Sequence, residues 1–246
     1  MFGSPAAEPV DPSTASQTII PFSEKRRRWF ELCLVLLVSY GSPILNSLYL
    51  LVSGPVAMPH ISSLRWSIGI VQEMAALLLL GYVLSRRGHG FKSLGLRWSF
   101  RDAGIGVLVF GLSVFAYVVG ASIVQVVHFW AYSTVVHGHT AQDFFASPSL
   151  VFIPFSLLNP FFEELIARAY LMTEVVELTR SRSLAVILSV GLQFSYHLYY
   201  GWIGATSLAF VFLAFALYYV YARRALPVIV AHAFFDIIAF LRLFLS

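Results

Sequence analysis

Two adjacent carboxylates and an arginine, Glu163, Glu164 and Arg168, lie inside an apolar stretch of the chain. A charged side chain at the centre of a bilayer costs about 2.5–3.5 kcal/mol on insertion scales, so neighbouring acids there indicate a function. Glu164 and Arg168 are spaced i,i+4, which places them on one face of a helix and predicts an ion pair. Glu163 points about 100° away from Glu164 and is left over by that pairing. A carboxylate of this kind is a candidate for proton chemistry.

Two more polar pairs follow in apolar surroundings. Gln193 and His197 form one pair, and His232 and Asp236 form the other. Each pair has i,i+4 spacing and therefore presents two polar groups on one helix face. A single pair of this kind could simply join helices by hydrogen bonds. Three polar sets on three helices make most sense if they converge on one water-filled cavity.

Two histidines, two glutamates and an aspartate are groups that can activate water. One carboxylate acts as a general base, while imidazoles bind a metal or stabilise a developing oxyanion. Zinc favours three protein ligands and a water, and Glu163, His197 and His232 could supply them. Without a metal, Glu163 would take a proton from water, and His232 with Asp236 would polarise the scissile carbonyl. The spacing of the residues does not separate these two mechanisms.

The dipeptide Asn159-Pro160 precedes the acids. Asn is a favoured N-cap and Pro a favoured first helical residue, so a helix could begin again there within the membrane. Glu163 would then lie near a positive helix end, which favours its ionised form. The other interpretation is a proline kink in a continuous span.

These residues must be positioned by membrane-spanning helices. The chain has 246 residues, of which 59% are hydrophobic and 11% charged, and its mean hydropathy is +0.79. Soluble domains have about 25% charged residues, and about 20 apolar residues cross a bilayer. We therefore expect an all-α, polytopic membrane helix bundle of about seven to eight transmembrane helices. Apolar windows predict spans at 29–53, 64–84, 103–128, 149–176, 183–201, 203–222 and 225–245.

Basic residues are enriched in every second connection between the predicted spans, and this distribution predicts the orientation of the bundle. They cluster before the first predicted span, after the second, after the fourth and after the sixth, whereas 129–148 has no Lys or Arg. This asymmetry predicts a cytoplasmic N-terminus. Residues 1–24 are expected to be a disordered cytoplasmic tail, and 25–246 the membrane domain. A bacterial inner membrane is the expected location. The net charge of +4 is attributed to basic residues that contact anionic headgroups of the lipid bilayer, and not to binding of nucleic acid.

The motifs Glu-Glu-x-x-x-Arg at 163–168, a histidine in the next span, and His-x-x-x-Asp at 232–236 resemble those of the CPBP family. This is the CAAX prenyl protease 2 and bacteriocin-processing group of intramembrane proteases, also called Abi. The resemblance covers about 145–245 and implies a helical bundle with its site in a membrane cavity open toward the cytoplasm. It also implies that Glu163 activates the water, that Glu164 and Arg168 support it, and that His197, His232 and Asp236 complete the site.

One position departs from the family pattern. The second motif of the family is usually Phe-x-x-x-His, whereas Gln193 lies four residues before His197, and Phe194 follows it. The histidine is retained, so we expect the chemistry to be retained as well. The pocket near Gln193 is the part expected to differ.

The leading hypothesis is an intramembrane endopeptidase that acts on membrane-associated or prenylated CAAX-type peptide or protein substrates. The alternative is a proton-coupled transporter or channel that uses the same acids as a relay. A third reading is a scaffold whose polar groups only join helices. Glu73, a polar intrusion in the second span, is left outside the predicted site.

The depths of the two motifs set a condition on the single-site hypothesis. At 1.5 Å per residue, Glu163 lies about 21 Å from the outer end of its span, but His197 lies only about 6 Å from an outer end near Gly201. They could not meet if both ends were flush with the membrane surface. We therefore predict a tight turn near Gly201 that is sunk below the surface.

Overall fold

The structure is a computed structural model that describes residues 21–53, 63–132 and 150–245. The described residues form helices and no strands, which confirms the predicted all-α class. The α-helices are α1 (Phe22–Ser53), α2 (Ser63–Ser85), α3 (Phe100–Tyr132), α4 (Phe152–Glu163), α5 (Leu171–Thr179), α6 (Arg182–Tyr196), α7 (Gly201–Ala222) and α8 (Ala225–Leu245). A π-helix (Glu164–Tyr170) joins α4 to α5, and 3₁₀ turns occupy Phe91–Leu94 and Leu198–Tyr200. Most of the predicted tail lies outside the described residues, although α1 already begins at Phe22.

Five helices of the described part are long and apolar enough to cross a membrane: Phe22–Ser53, Ser63–Ser85, Phe100–Tyr132, Leu198–Ala222 and Ala225–Arg242. The predicted span at 149–176 is divided into α4, the π-helix and α5. The predicted span at 183–201 is α6, which has only 15 residues. Apolar windows predicted where helices form, but they do not register a change of helical pitch or an early helix end.

α3 packs against α7 and α8 through small residues. A Cβ atom at Gly120 would lie 2.3 Å from the ring of Phe210, and one at Gly106 would lie 2.7 Å from Val230. Glycine at these two positions lets the backbones approach closely, as is common between membrane helices. The opposite side of α3 is largely exposed, with Leu108 at 73% and Trp130 at 84%, as expected for a surface that faces lipid.

At one end of the bundle, buried ion pairs connect helices that are distant in the sequence. At the start of α1, Arg28 pairs with Glu174 of α5 at 2.9 Å. Arg87, just after α2, pairs with the same Glu174 at 2.8 Å and also with Glu31. Burial by itself lowers the pKa of Arg87, but hydrogen bonds and attraction to Glu31 and Glu174 outweigh it, so the pKa lies above its ordinary value. The start of α1 and the ends of α2 and α5 therefore lie together.

Candidate active site

The acidic motif lies where α4 widens into the π-helix. α4 runs unbroken from Phe152 to Glu163 and includes Pro160, so no helix begins at Asn159-Pro160, and of the two interpretations of this dipeptide the continuous helix is the one observed. Pro160 lacks an N–H and crowds the preceding turn, and the wider π-helix follows within the next turn. Glu163 consequently lies at the C-terminal end of a helix rather than at a positive N-terminal end.

Glu164 is held between two positively chargeable groups. Its Oε2 lies 3.4 Å from Arg168 Nε, and both side chains are completely buried, so the predicted ion pair is present. Its Oε1 lies 2.8 Å from His232 Nδ1. Arg168 also donates to Ser189 Oγ at 3.3 Å and lies over the ring of Phe212. A buried charge requires such partners, and Glu164 is therefore engaged from both sides.

Glu163 is only 2% exposed, and its carboxylate accepts from neutral amides. Gln193 Nε2 donates to Glu163 Oε2 at 2.9 Å. The Asn159 amide, oriented with its nitrogen toward the acids, donates to Glu163 Oε1 at 3.2 Å and to Glu73 Oε1 at 3.0 Å. In the opposite orientation it donates to Asp236 Oδ2 at 3.4 Å. The family departure at Gln193 thus falls on a residue that contacts the central acid.

The two histidines are each anchored through Nδ1. His197 Nδ1 lies 2.8 Å from the backbone carbonyl of Gln193, which can only accept, so Nδ1 carries the hydrogen. In the neutral ring Nε2 of His197 is then an acceptor or a metal ligand. His232 Nδ1 faces Glu164, which leaves its Nε2, 3.7 Å from Asp236 Oδ1. Both rings therefore have Nε2 left for chemistry.

A cavity of about 450 Å³ brings the predicted residues together. Glu163, His197, His232 and Asp236 line it, whereas Glu164 and Arg168 are buried behind it. Sequence reasoning left Glu73 outside the site, yet it lines the same cavity and is 5% exposed. The sequence did indicate Glu73, because it is an acid within the second predicted span, but no partner for it was visible in the sequence.

The turn that carries His197 is sunk below the end of α1. Tyr199 N donates to Ser47 Oγ at 2.7 Å, and Ser47 lies six residues before the last residue of α1. At 1.5 Å per residue this depth is about 9 Å. Gly201 follows with φ +75°, a conformation that glycine adopts without strain, and α7 begins there. The turn near Gly201 therefore lies below the end of α1, and His197 lines the cavity from this position.

Within the described residues, one group of three side chains has donor atoms close enough for a metal ion. Donor atoms of Glu163, Glu164 and His232 all lie within 4.8 Å of one another. The predicted zinc ligands Glu163 and His232 are in this group, but His197 is not, because its ring is anchored to the end of α6. Two carboxylates and an imidazole are donors that zinc accepts, so this group fits a zinc ion chemically.

A family model described as "Type II CAAX prenyl endopeptidase Rce1-like" matches residues 145–238. The match covers α4 to most of α8 and includes all six predicted site residues, while Glu73 lies outside it. No curated protein and no solved structure matches the chain. The family is one of endopeptidases, and it agrees with the resemblance carried by the three motifs. Residues 145–238 of this chain are therefore similar to the Rce1-like family of type II CAAX prenyl endopeptidases.

Proposed function

We propose that the protein is an intramembrane endopeptidase in which Glu163 is the general base. One observation carries this proposal. Glu163 faces the cavity and accepts hydrogen bonds from neutral amides, whereas its neighbour Glu164 is engaged by Arg168 and His232. A general base needs a carboxylate that is held in place but not neutralised by a cation at contact distance.

The reaction follows from these positions. A water in the cavity gives a proton to Glu163 as its oxygen attacks the carbonyl carbon of the scissile peptide bond. His232, doubly protonated, donates from Nε2 to the oxyanion that forms, and Glu164 at 2.8 Å holds the other side of the ring. Glu163 then delivers the proton to the leaving nitrogen as the carbon–nitrogen bond breaks. The products are a carboxylic acid and an amine.

The remaining residues hold these groups in place. His197 Nε2 can accept the second hydrogen of the water, because its Nδ1 is committed to the Gln193 carbonyl. Arg168 balances the charge of Glu164 in a completely buried place. Placing base, water and oxyanion donor within one rigid cavity lowers the entropic part of the barrier.

A zinc ion, if present, would be held by Glu163, Glu164 and His232. Bound zinc would supply Lewis-acid polarisation and a more acidic water. The proton path described above uses only side chains of the chain itself. We propose this metal-free path because Arg168 already supplies a positive charge beside Glu164.

The part of the cavity beside Trp66 fits an apolar segment of a polypeptide. The Trp66 ring lies 4.8 Å from the ring of Phe152 and 4.7 Å from that of Phe155, and all three line the cavity. Aromatic walls with a few polar groups at the base are typical of binding sites for apolar ligands. The proposed substrate is a membrane-associated polypeptide, and the proposed location is a bacterial inner membrane.

The test is cleavage of membrane-inserted peptides by the purified protein in liposomes, with products identified by mass spectrometry. Glu163→Ala is the control for contaminating proteases and should abolish cleavage. Proton-dependent flux without any cleavage would support the transporter instead. Full cleavage by the Glu163→Ala variant would refute the assignment of the base.

A further inference from the structure

Glu73 of α2 lines the cavity together with the proposed base, but it has no role in the proposed proton path. The helix that carries it is long and apolar enough to cross a membrane, and the side chain is buried. Within the described part of the chain, its Oε2 has no hydrogen-bond partner. An ionisable side chain within a membrane span is costly and therefore indicates a function.

The position of Glu73 is fixed by the packing of α2 against α4. A Cβ atom at Gly69 of α2 would lie 3.0 Å from the ring of Phe155 of α4, so the glycine lets the two helices approach closely. Four residues further along each helix, Glu73 lies beside Asn159. The equal steps show that α2 and α4 run side by side in the same direction. The carboxyl group of Glu73 is therefore held against the Asn159 amide by two packed helices.

The Asn159 amide lies among three carboxyl groups, and its orientation decides whether the base receives its hydrogen bond. With its nitrogen toward the glutamates, it donates to Glu73 Oε1 at 3.0 Å and to Glu163 Oε1 at 3.2 Å. In the opposite orientation it donates to Asp236 Oδ2 at 3.4 Å, and its oxygen faces only acceptors. The first orientation makes two hydrogen bonds and the second makes one longer bond, so the first is favoured.

We propose that Glu73 is a positioning residue for the base and acts through Asn159. By accepting one N–H of the amide, Glu73 keeps the other N–H on Glu163. A carboxyl oxygen can accept this bond whether the group is ionised or protonated. Without Glu73, one bond to Glu163 competes with one bond to Asp236, and the amide is no longer held toward the base. The proposal rests on the proposed endopeptidase function, in which Glu163 is the base.

Glu73 also shows that the site extends beyond the part of the chain that resembles the family. The family model matches residues 145–238, which include Asn159, Glu163 and Asp236, whereas Glu73 belongs to α2. The orientation of an amide within the matched region is thus set by a helix outside it.

The first test compares two substitutions of Glu73 by steady-state cleavage of a peptide in liposomes. Glu73→Leu removes the acceptor at similar size, and Glu73→Gln keeps an oxygen that can accept from Asn159. We expect Glu73→Leu to lower kcat roughly 10- to 150-fold with a smaller change in KM, and Glu73→Gln to restore most of kcat. Thermal unfolding in detergent shows that each variant is folded. Wild-type kcat in folded Glu73→Leu would overturn the proposal.

The second test asks whether Glu73 acts through Asn159, which a purely structural role would not require. Asn159→Leu removes the amide at similar size, and the double variant with Glu73→Leu completes the cycle. We expect Glu73→Leu to lower kcat no further once Asn159 is replaced. Two effects that multiply would overturn the proposal, because Glu73 would then act independently of the amide. Where the double variant does not fold, the contrast between Glu73→Leu and Glu73→Gln decides.

The outcomes separate this proposal from the function on which it rests. Absence of cleavage by the wild-type protein would overturn the endopeptidase function and the role of Glu73 with it. Cleavage that Glu163→Ala abolishes, but that Glu73→Leu leaves unchanged, would overturn the role of Glu73 alone.

Discussion

The hydrogen bond from Gln193 to Glu163 is the contact whose removal should most selectively impair the proposed base. Gln193 is completely buried, and its Nε2 lies 2.9 Å from Glu163 Oε2. Gln193→Leu keeps a side chain of similar size but removes the donor. Glu163 would lose one of the amides that fix its position, and its buried oxygen would be left without a partner.

The magnitude follows from the kind of bond. A hydrogen bond to a charged group contributes about 1.5–3 kcal/mol, and each 1.36 kcal/mol of barrier is about tenfold in rate. Gln193→Leu should therefore lower kcat roughly 10- to 150-fold, with a smaller change in KM, because the contact holds the base rather than the substrate. Among the residues that the structure describes, Gln193 Oε1 has no hydrogen-bond partner, so removing this oxygen leaves no other group unpaired.

The assay is steady-state cleavage of a peptide by the reconstituted protein, with thermal unfolding in detergent to show that the variant is folded. Gln125→Leu is the matched control, since Gln125 is the same residue type, lies in α3 and does not line the cavity. We expect it to retain near-normal kcat. A folded Gln193→Leu variant with wild-type kcat would show that the bond to Glu163 does not serve catalysis.

Three further predictions concern the support of the site. Arg168→Ala leaves Glu164 buried without its ion pair and should destabilise the protein by about 3–5 kcal/mol. The loss should be measured as a lower Tm, and an unchanged Tm would contradict the pairing. Gly120→Ala forces the Phe210 ring to move and should lower the stability by about 1–3 kcal/mol. The control Gly111→Ala meets nothing within 4 Å and should leave the Tm unchanged. Equal Tm values for the two variants would refute the close packing. Removal of metals with a chelator should leave cleavage intact, checked by elemental analysis; lost activity that zinc restores would establish a metal mechanism instead.

Local spacing predicted the parts of the site that lie within one helix. The i,i+4 rule correctly paired Glu164 with Arg168, and it placed Gln193 and His197 on one helix face. Their contact, however, runs through the Gln193 backbone carbonyl rather than through its amide. The amide is turned to Glu163 instead, which the spacing within one helix could not reveal.

The spacing of residues in the sequence could not predict the side-chain contacts between helices. His232 bonds to Glu164 across 68 positions, and Asn159 can bridge Glu163 to Glu73 of a helix outside the family match. Such contacts depend on how helices are rotated and how deep each one sits, and hydropathy does not encode either. The π-helix is a further example, because it changes the direction of successive side chains without changing the apolar pattern.

The central claim is that Glu163 removes a proton from the attacking water, and Glu163→Gln tests it most directly. This change keeps the shape of the side chain but removes the base, and general-base catalysis contributes about 10²- to 10⁴-fold. The measurement is kcat for peptide cleavage in liposomes. The control is Glu177→Gln in α5, where Glu177 pairs with Arg28 and does not line the cavity. We predict a fall of kcat in the range of about 10²- to 10⁴-fold for Glu163→Gln and near-normal turnover for Glu177→Gln. Equal turnover by the two folded variants would contradict the account.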